Sequence, residues 1–457
     1  MNRTEVIVLA AGKGTRMHSD VPKVLQTLGG SSLIDHVLGS VRELQPSRIH
    51  VVYGHGGEVV KGSTKGDDLN WVEQTMQLGT GHAVSQAIPF VDQAADVLVV
   101  YGDVPLVGAE TLNRLIEASE SRCLALLTAV LPDPKGYGRI VRSSEGRVTK
   151  IVEEADATDE QKTISEINVG FLSSPATLLS NWLKQIDDIN SQREQYLTDI
   201  VTFAIAEGGC VIACQTPDAL EAAGVNSVAD LANAERAFQR RQACLLMDSG
   251  LNLRDPNRFD LRGSLTFGAG TVIDVNTIIE GTVQLGSRVT IGPNCYVRDC
   301  TIGDDTVVEA HCVLDGAKIE AGCMIGPFAR LRPQTELGEG VRVGNFVETK
   351  KTRLGNGTKA NHLAYVGDAE VGSNVNIGAG VITCNYDGAN KHKTKIEDDA
   401  FIGSDTQLIA PVTIGRGATI GAGSTIRRDA PPEKLTLTTE ETKTLDHWRP
   451  AKKSETE

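Results

Sequence analysis

From Ile273 onward, branched or long aliphatic side chains recur at every sixth residue, through Ile279, Leu285, Ile291 and Val297. The ladder slips by one, resumes at Ile302, Val308 and Leu314, slips again and resumes at Ile319, Ile325, Leu331, Leu337 and Val343. It returns at Ile396, Ile402, Leu408, Ile414, Ile420 and Ile426. Glycine directly follows many rungs, Gly303 and Gly403 among them, and 25 of the 47 glycines fall between 263 and 428. A chance alternation of apolar residues yields three or four rungs in register, not a series of this length. A six-residue period with small residues beside an inward aliphatic is the mark of a parallel β-helix, in which each short strand adds one side chain to a stack. Glycine then stands where a Cβ would crowd the turning chain.

The ladder is interrupted twice. Between Val343 and Ile396 it becomes irregular, with Leu354, Val366, Val371 and Ile377 as partial rungs, and residues 383–395 read as a polar inserted loop. Insertions on a regular scaffold carry binding surfaces. The tail after Ala430 opens with Pro431-Pro432, continues with mixed charge and reads as irregular.

The amino-terminal half has another texture. Apolar runs at 6–9, 49–53, 97–101, 124–131 and 169–172 alternate with helical segments such as 31–44 and 108–120, which predicts crossover units and a mainly parallel sheet. Ser227 and Asp230 have capping-box spacing, Leu231, Ala234, Phe238 and Leu245 follow at helical spacing, and Gly250 is a natural stop. Periodicity alone leaves two readings of that segment, a connecting helix or an amphipathic core helix of the first domain. The expected organisation is domains over 1–226 and 251–457 joined by a helix over 227–250.

With 59 Asp plus Glu against 45 Lys plus Arg, the formal charge is −14, which disfavours bare nucleic acid as a partner. Apolar runs such as 97–101 are far shorter than the ~18 residues of a membrane-spanning helix. No apolar segment of the kind a secretory signal carries follows Met1. A cytoplasmic protein without a membrane partner is expected. Nine cysteines without a CxxC pair suit reduced thiols used as small core residues.

The run Val6-Ile-Val-Leu9 leads into Ala10-Ala-Gly-Lys-Gly-Thr-Arg16-Met17, followed by Pro22-Lys23. It fits neither a Walker loop nor GxGxxG. On residue types alone it is either a phosphate cradle, with Lys13, Arg16 and Lys23 as bases, or a glycine turn with solvated charges. Asp103 likewise reads as a ligand at a strand end or as a turn cap before Pro105. The whole string resembles the signature of sugar-1-phosphate nucleotidyltransferases. So do Gln74, Gln77-Leu-Gly-Thr-Gly-His82, Tyr101-Gly-Asp-Val-Pro105, Gly136-Tyr-Gly-Arg139, Ile151-Val-Glu153, Glu166-Ile-Asn-Val-Gly170, Tyr196-Leu-Thr198 and Gly224-Val-Asn226. With the repeat half included, residues 4 to 428 resemble the bacterial family of bifunctional N-acetylglucosamine-1-phosphate uridylyltransferase/glucosamine-1-phosphate acetyltransferases.

That resemblance implies an α/β nucleotidyltransferase domain with a Rossmann-like mixed sheet, joined by a long helix to a left-handed parallel β-helix of hexapeptide repeats. It puts Leu9, Ala10, Ala11, Gly12, Gln74, Gly79 and Thr80 around the uridine of UTP, with Arg16 and Lys23 on the triphosphate. Tyr101, Gly102, Gly138, Glu153, Asn168, Tyr196 and Thr198 would line the pocket for N-acetylglucosamine-1-phosphate, and Asp103 and Asn226 would bind Mg2+. A phosphate oxygen of the acceptor then attacks the α-phosphorus of UTP and pyrophosphate leaves. Since the attacking group is already an anion, cationic screening matters more than a general base.

On the repeat half, Asn361-His-Leu-Ala-Tyr-Val-Gly-Asp368 carries the one histidine of its wall segment. By itself His362 reads as a satisfied histidine or as a proton acceptor near neutrality. The resemblance makes it the general base toward the 2-amine of glucosamine-1-phosphate. It implies that Arg332, Lys350, Tyr365, Asn376 and Lys391 hold that substrate, and that Asn385, Tyr386, Ser404 and Ala422 contact acetyl-CoA. A homotrimer is implied too, with clefts between neighbouring walls, and a product feeding peptidoglycan and lipopolysaccharide precursors. The sequence departs from the family at Leu435-Thr-Leu-Thr-Thr439, where a small-apolar run ending in a base is usual, and Lys443 is the candidate substitute. Two other readings are compatible with the repeats: an oligomerising or regulatory solenoid under an active nucleotidyltransferase, or a trimeric scaffold that binds sugar nucleotide with no turnover. The block 361–368 together with 376–391 is more than a structural solenoid needs.

Overall fold

The computed structural model describes residues 4–448 apart from 13, 55, 65, 120–122 and 440–443, so Lys13 and Lys443 lie outside the described residues. The chain divides into two compact units, Met1–Gln242 and Ala243–Glu457.

In the first unit the five apolar runs become strands, the central ones buried on both faces, and four further, less buried strands join them. They are β1 (Thr4–Ala10), β2 (Arg48–Tyr53), β3 (Leu69–Glu73), β4 (Asp96–Tyr101), β5 (Leu124–Val130), the hairpin β6 (Gly138–Arg142) and β7 (Val148–Val152), β8 (Glu166–Pro175) and β9 (Val211–Gln215). The main order is β9-β5-β8-β4-β1-β2-β3, parallel throughout except for β8, which is antiparallel to β4 and β5 and also pairs with β6. This is a mixed sheet. Alternation explains the continuous apolar runs: Val6 and Val8 pack with α1 (Leu33–Glu43) and α3 (Ala109–Ser119), whereas Ile7 and Leu9 pack with α2 (Thr80–Ala87), α4 (Ala176–Leu183) and α5 (Ile200–Ala206).

The segment that follows is one helix, α6 (Val228–Asp248). Its capping box forms, with Ser227 Oγ accepting from the Asp230 amide at 3.2 Å and Asp230 Oδ2 accepting from the Ser227 amide at 2.9 Å. Leu231, Ala234 and Phe238 pack against Met17, Leu28 and Leu33. Leu245, expected on the same stripe, is exposed, because the last turns are packed through Ala243, Leu246 and Met247, which join the second unit's core.

In the second unit the ladder is a left-handed parallel β-helix with three faces. Ile273, Ile291, Val308, Ile325 and Val343 stack on one face. Ile279, Val297, Leu314 and Leu331 stack on the second, and Leu285, Ile302, Ile319 and Leu337 on the third. Every aliphatic rung read from the sequence is buried. Apart from Gly326, at φ +98°, glycine after a rung works through close approach rather than turning: a Cβ on Gly303 would stand 2.7 Å from the Ala321 amide nitrogen, and one on Gly403 2.5 Å from that of Ala422. The left-handed corners fall instead to residues such as Asn294, Asp305 and Phe328.

The stretch between Val343 and Ile396 proves to be regular. Thr349 pairs with Leu331 and Ala360 with Val343, while Ile382 pairs with Tyr365 and so sets Thr383 over Val366. These three rungs are buried but are not large aliphatics, so an aliphatic count passes over them. The inserted loop is shorter than expected, because Ile382–Cys384 and Thr394–Ile396 are wall strands and only 385–393 leaves the wall. The tail is also more regular than expected, since Leu435–Thr436 adds a strand beside Thr419–Ile420.

Thr383 shows what a polar rung does. Its hydroxyl accepts from the Gly367 amide at 2.8 Å and donates to the Gly367 carbonyl at 2.9 Å. Thr383→Val keeps the shape but strands both groups in the core, so stability should fall by about 1–3 kcal/mol. A thermal melt checks this, and an unchanged or raised Tm would show that the hydroxyl contributes nothing.

Cys295, Cys300, Cys312 and Cys323 are buried in the second core, as small core residues should be, but Cys210 is exposed. Among the described residues no helix is long and apolar enough to cross a membrane.

Candidate functional site

At the carboxyl ends of β1 and β4 the first unit opens a cavity of about 530 Å³, where an open α/β sheet presents its ligands. β1 ends at Ala10, and the following turn passes through Gly14 at φ +59°. A Cβ there would stand 2.7 Å from the Cβ of Lys23, so glycine lets the Lys23 stem lie against the turn. After β4, the Gly102 amide donates to the Leu9 carbonyl at 2.9 Å, and Asp103 comes next in the chain. The Asp103 carbonyl accepts from the Val225 amide at 2.9 Å, which brings Asn226 alongside. Between these two side chains sits the ammonium of Lys23, ion-paired with Asp103 Oδ2 and donating to Asn226 Oδ1 at 3.1 Å.

The cavity wall takes in Leu9, Ala10, Ala11, Gly12, Lys23 and Gln74. It also takes in Gly79, Thr80, Tyr101, Asp103 and Asn226. Gln74 is buried and fixed, its amide donating to the Gly79 carbonyl at 3.1 Å and lying 2.9 Å from His82 Nδ1. Gly79 has φ +114°, and a Cβ on it would stand 2.5 Å from the Gln195 carbonyl oxygen. Arg16 is exposed on the short turn Thr15–Met17 and is not part of this wall.

The remaining predicted residues gather behind Tyr101 rather than in the main cavity. Asn168 and Thr198 border a small neighbouring pocket with Tyr101, and Gly138 pairs with Asn168 across β6 and β8. Thr198 Oγ1 donates to Glu153 Oε1 at 2.9 Å, while a Cβ on Gly138 would stand 3.4 Å from the Glu153 carboxylate. Burial holds the Glu153 carboxyl above its usual range, against the opposing Thr198 bond. Burial also raises the Tyr101 phenol, helped by the nearby Glu153 charge, and pushes Tyr196 up to about 12. Tyr196 donates from its hydroxyl to Gln192 Oε1 at 2.9 Å. Residue-level reading passed over Tyr137, Gln77 and Glu194, which also line the cavity. Tyr137 and Gln77 lay within motifs already recognised.

The second constellation lies on the β-helix wall. His362 is exposed, pairs in register with Asn345, and places Nδ1 2.9 Å from Asn345 Oδ1. With the amide so oriented Nδ1 carries the proton and Nε2 is left as an acceptor. Asn345 belongs to no stretch singled out in the sequence; only its register beside His362 reveals it. Lys350 is held below the usual lysine range, first by the Lys391 ammonium beside it and also by Arg332. Arg332 donates to Glu348 Oε1 at 2.8 Å. Three cations thus crowd one patch, a suitable seat for a phosphate.

Asn385 donates to Asp368 and, at 3.4 Å, to the Tyr365 hydroxyl. The loop after it is organised by Asp387, which accepts from the Ala389 and Asn390 amides at 2.8 and 2.6 Å and from His392 Nε2 at 2.7 Å. These bonds hold the Asp387 carboxyl well below its usual range, the Asn390 amide first among them. Tyr386 projects from the loop, exposed, and bridges to Lys391 across it. Asn376 is half-buried in the strand Asn376–Ile377, and Ser404 and Ala422 are exposed at the corners of later coils. A hollow of about 1010 Å³ on this unit, lined by Arg353, Glu370, Lys395 and Arg416 among others, contains none of these predicted residues.

The chain matches the MobA-like NTP transferase domain over residues 6–165. It matches the GMPPB C-terminal domain over 261–358 and the bacterial transferase hexapeptide, six repeats, over 393–428. Fold and matches together define a nucleotidyltransferase joined to a hexapeptide-repeat transferase. The chain is 53% identical over 444 residues to the bifunctional protein GlmU of Alkalilimnicola ehrlichii, covering 97% of this chain and 96% of that one. It belongs to the GlmU family and is a bifunctional transferase. A solved UDP-glucose pyrophosphorylase complexed with UDP-glucose aligns over 53% of this chain and 100% of its own, at 16% identity and TM-score 0.43.

Proposed function

We propose that this chain makes UDP-N-acetylglucosamine in two steps, with acetyl transfer to glucosamine-1-phosphate on residues 251–457 and uridylyl transfer on residues 1–226. The observation that carries this reading is that each unit gathers its own charged cluster, Lys23 with Asp103 and Asn226 on the cavity of the first and Arg332, Lys350 and Lys391 on the wall of the second.

In the uridylyl step, Gln74 and the Gly79 turn read the base while Lys23 screens the triphosphate, joined by Arg16 if its exposed turn closes over the nucleotide. The acceptor, its sugar seated beside the Glu153, Asn168 and Thr198 cluster, attacks the α-phosphorus through a phosphate oxygen and pyrophosphate departs. Asp103 and Asn226 present two oxygens already gathered round a cation, the Lys23 ammonium. Among the described residues no group of three or more His, Cys, Asp or Glu side chains could hold a metal. A two-oxygen site nevertheless suits Mg2+, which keeps waters and substrate phosphates among its ligands. Bound there, Mg2+ supplies charge neutralisation. Gly79→Ala forces a Cβ against the Gln195 carbonyl and should lower kcat/KM for UTP by on the order of 10²-fold. Steady-state kinetics at varied UTP checks this, and wild-type kinetics would remove the turn from base recognition.

In the acetyl step, Asn345 fixes the His362 tautomer and Nε2 takes a proton from the 2-amine as it attacks the thioester carbonyl. A column of aromatic and apolar side chains adjoins this site: His311 stacks on Phe328 at 4.8 Å and Phe328 on Phe346 at 5.4 Å, with Leu363 on the next coil. Phe328, Phe346 and Leu363 are 47%, 56% and 61% exposed, which favours cover by another copy and supports a homotrimer with shared clefts. Both co-substrates are cytoplasmic metabolites, and we assign the enzyme to that compartment.

The test supplies glucosamine-1-phosphate, acetyl-CoA, UTP and Mg2+ to the purified chain. Free coenzyme thiol should appear first, then pyrophosphate and UDP-N-acetylglucosamine. Pyrophosphate release from N-acetylglucosamine-1-phosphate without any thiol release from glucosamine-1-phosphate would reduce the β-helix to a structural module.

A further inference from the structure

We propose that Lys23 is a tethered cation that holds the divalent-metal position at Asp103 and Asn226 until a divalent ion displaces it into the nucleotide cavity. This rests on reading those two side chains as metal ligands. Lys23 and Asp103 are only 12% and 16% exposed, and a carboxylate so withdrawn from water needs a positive partner. The Lys23 ammonium is that partner, and it also satisfies Asn226 Oδ1. A divalent ion seeking the same two oxygens meets a cation already in place, and two cations cannot share that short span without strong repulsion.

Exchange is mechanically simple. The Lys23 backbone is pinned, with the Leu25 amide bonded to the Pro22 carbonyl and the Gln26 amide to the Lys23 carbonyl, so only the flexible four-carbon stem moves. Lys23 lines the cavity, so its released ammonium faces the space assigned to the triphosphate. Nucleotide phosphates then compensate the displaced ammonium, which couples metal binding to nucleotide binding. In the nucleotide-free protein the ammonium competes with the metal, and affinity for the ion is low.

Titration of the nucleotide-free, full-length protein with Mn2+, followed by the loss of its free-ion electron paramagnetic signal, tests the exchange. Lys23→Met removes the competing cation and should tighten Mn2+ binding by on the order of tenfold, and adding Asp103→Asn to that variant should abolish the gain. Equal Mn2+ affinity in wild type and Lys23→Met would overturn the exchange. A gain that survives Asp103→Asn would instead overturn the reading of Asp103 as a ligand. Should Lys23→Met fail to fold, mass-spectrometric acylation of wild-type lysines decides: saturating Mn2+ should raise Lys23 reactivity, and unchanged reactivity refutes displacement.

Discussion

His362→Ala should slow acetyl transfer by about 10²–10⁴-fold, the range a positioned general base contributes, while pyrophosphate release from UTP stays at its wild-type rate. The substitution is clean, because the imidazole is exposed and, among the described residues, its one side-chain hydrogen bond goes to Asn345, so little stability depends on it. The ammonium form of the sugar has no lone pair for the thioester; a base that holds the neutral amine is what the variant lacks. The loss should therefore shrink as pH rises and the amine deprotonates unaided. Coenzyme-thiol release measured across pH gives both results. A loss smaller than tenfold, or one equal at every pH, removes His362 from proton transfer.

Asp103→Ala should lower uridylyl transfer by at least 10²–10³-fold, the order found when one preorganised electrostatic group is lost, and leave acetyl transfer intact. The side chain is the partner of Lys23, and truncation leaves that ammonium with Asn226 alone. The backbone survives, since Asn226 is held in place through the Asp103 carbonyl and the Val225 amide, not through the carboxylate. Loss of activity in a folded protein is therefore loss of the carboxylate ligand that would hold Mg2+ against the reacting phosphates. Parallel assays of both half-reactions on both variants show whether the centres are separable. One substitution silencing both reactions in folded protein would sink the two-centre reading.

How much of this was legible depends on the kind of signal each residue sends. The aliphatic rungs were, because six-residue spacing of Ile, Leu and Val has few other causes. Thr349, Ala360 and Thr383 were not: a rung is defined by its position in a stack, and a small or polar side chain shows that only when the coils above and below are seen. Loop limits shifted for the same reason, since Thr383 and Thr394 look like loop residues yet are buried wall. Around the first site, motif resemblance named eleven residues that line one cavity and others, Arg16 and Glu153 among them, that do not, and it assigned Lys23 to the triphosphate and Asp103 to the metal separately. Contact between them depends on strand ends far apart in sequence. Asn345 was invisible because an asparagine seventeen residues before a histidine means something only when one coil is that long.

The coil that carries the loop closes as its neighbours do: Val371 pairs with Ile396 and Ile396 with Ile414, as though residues 385–393 were not there. A corner of the prism can thus take on or shed a segment without retuning the layers on either side. The loop is then a modular element of the coil, open to exchange as one hairpin-sized cassette while the framework around it stays fixed.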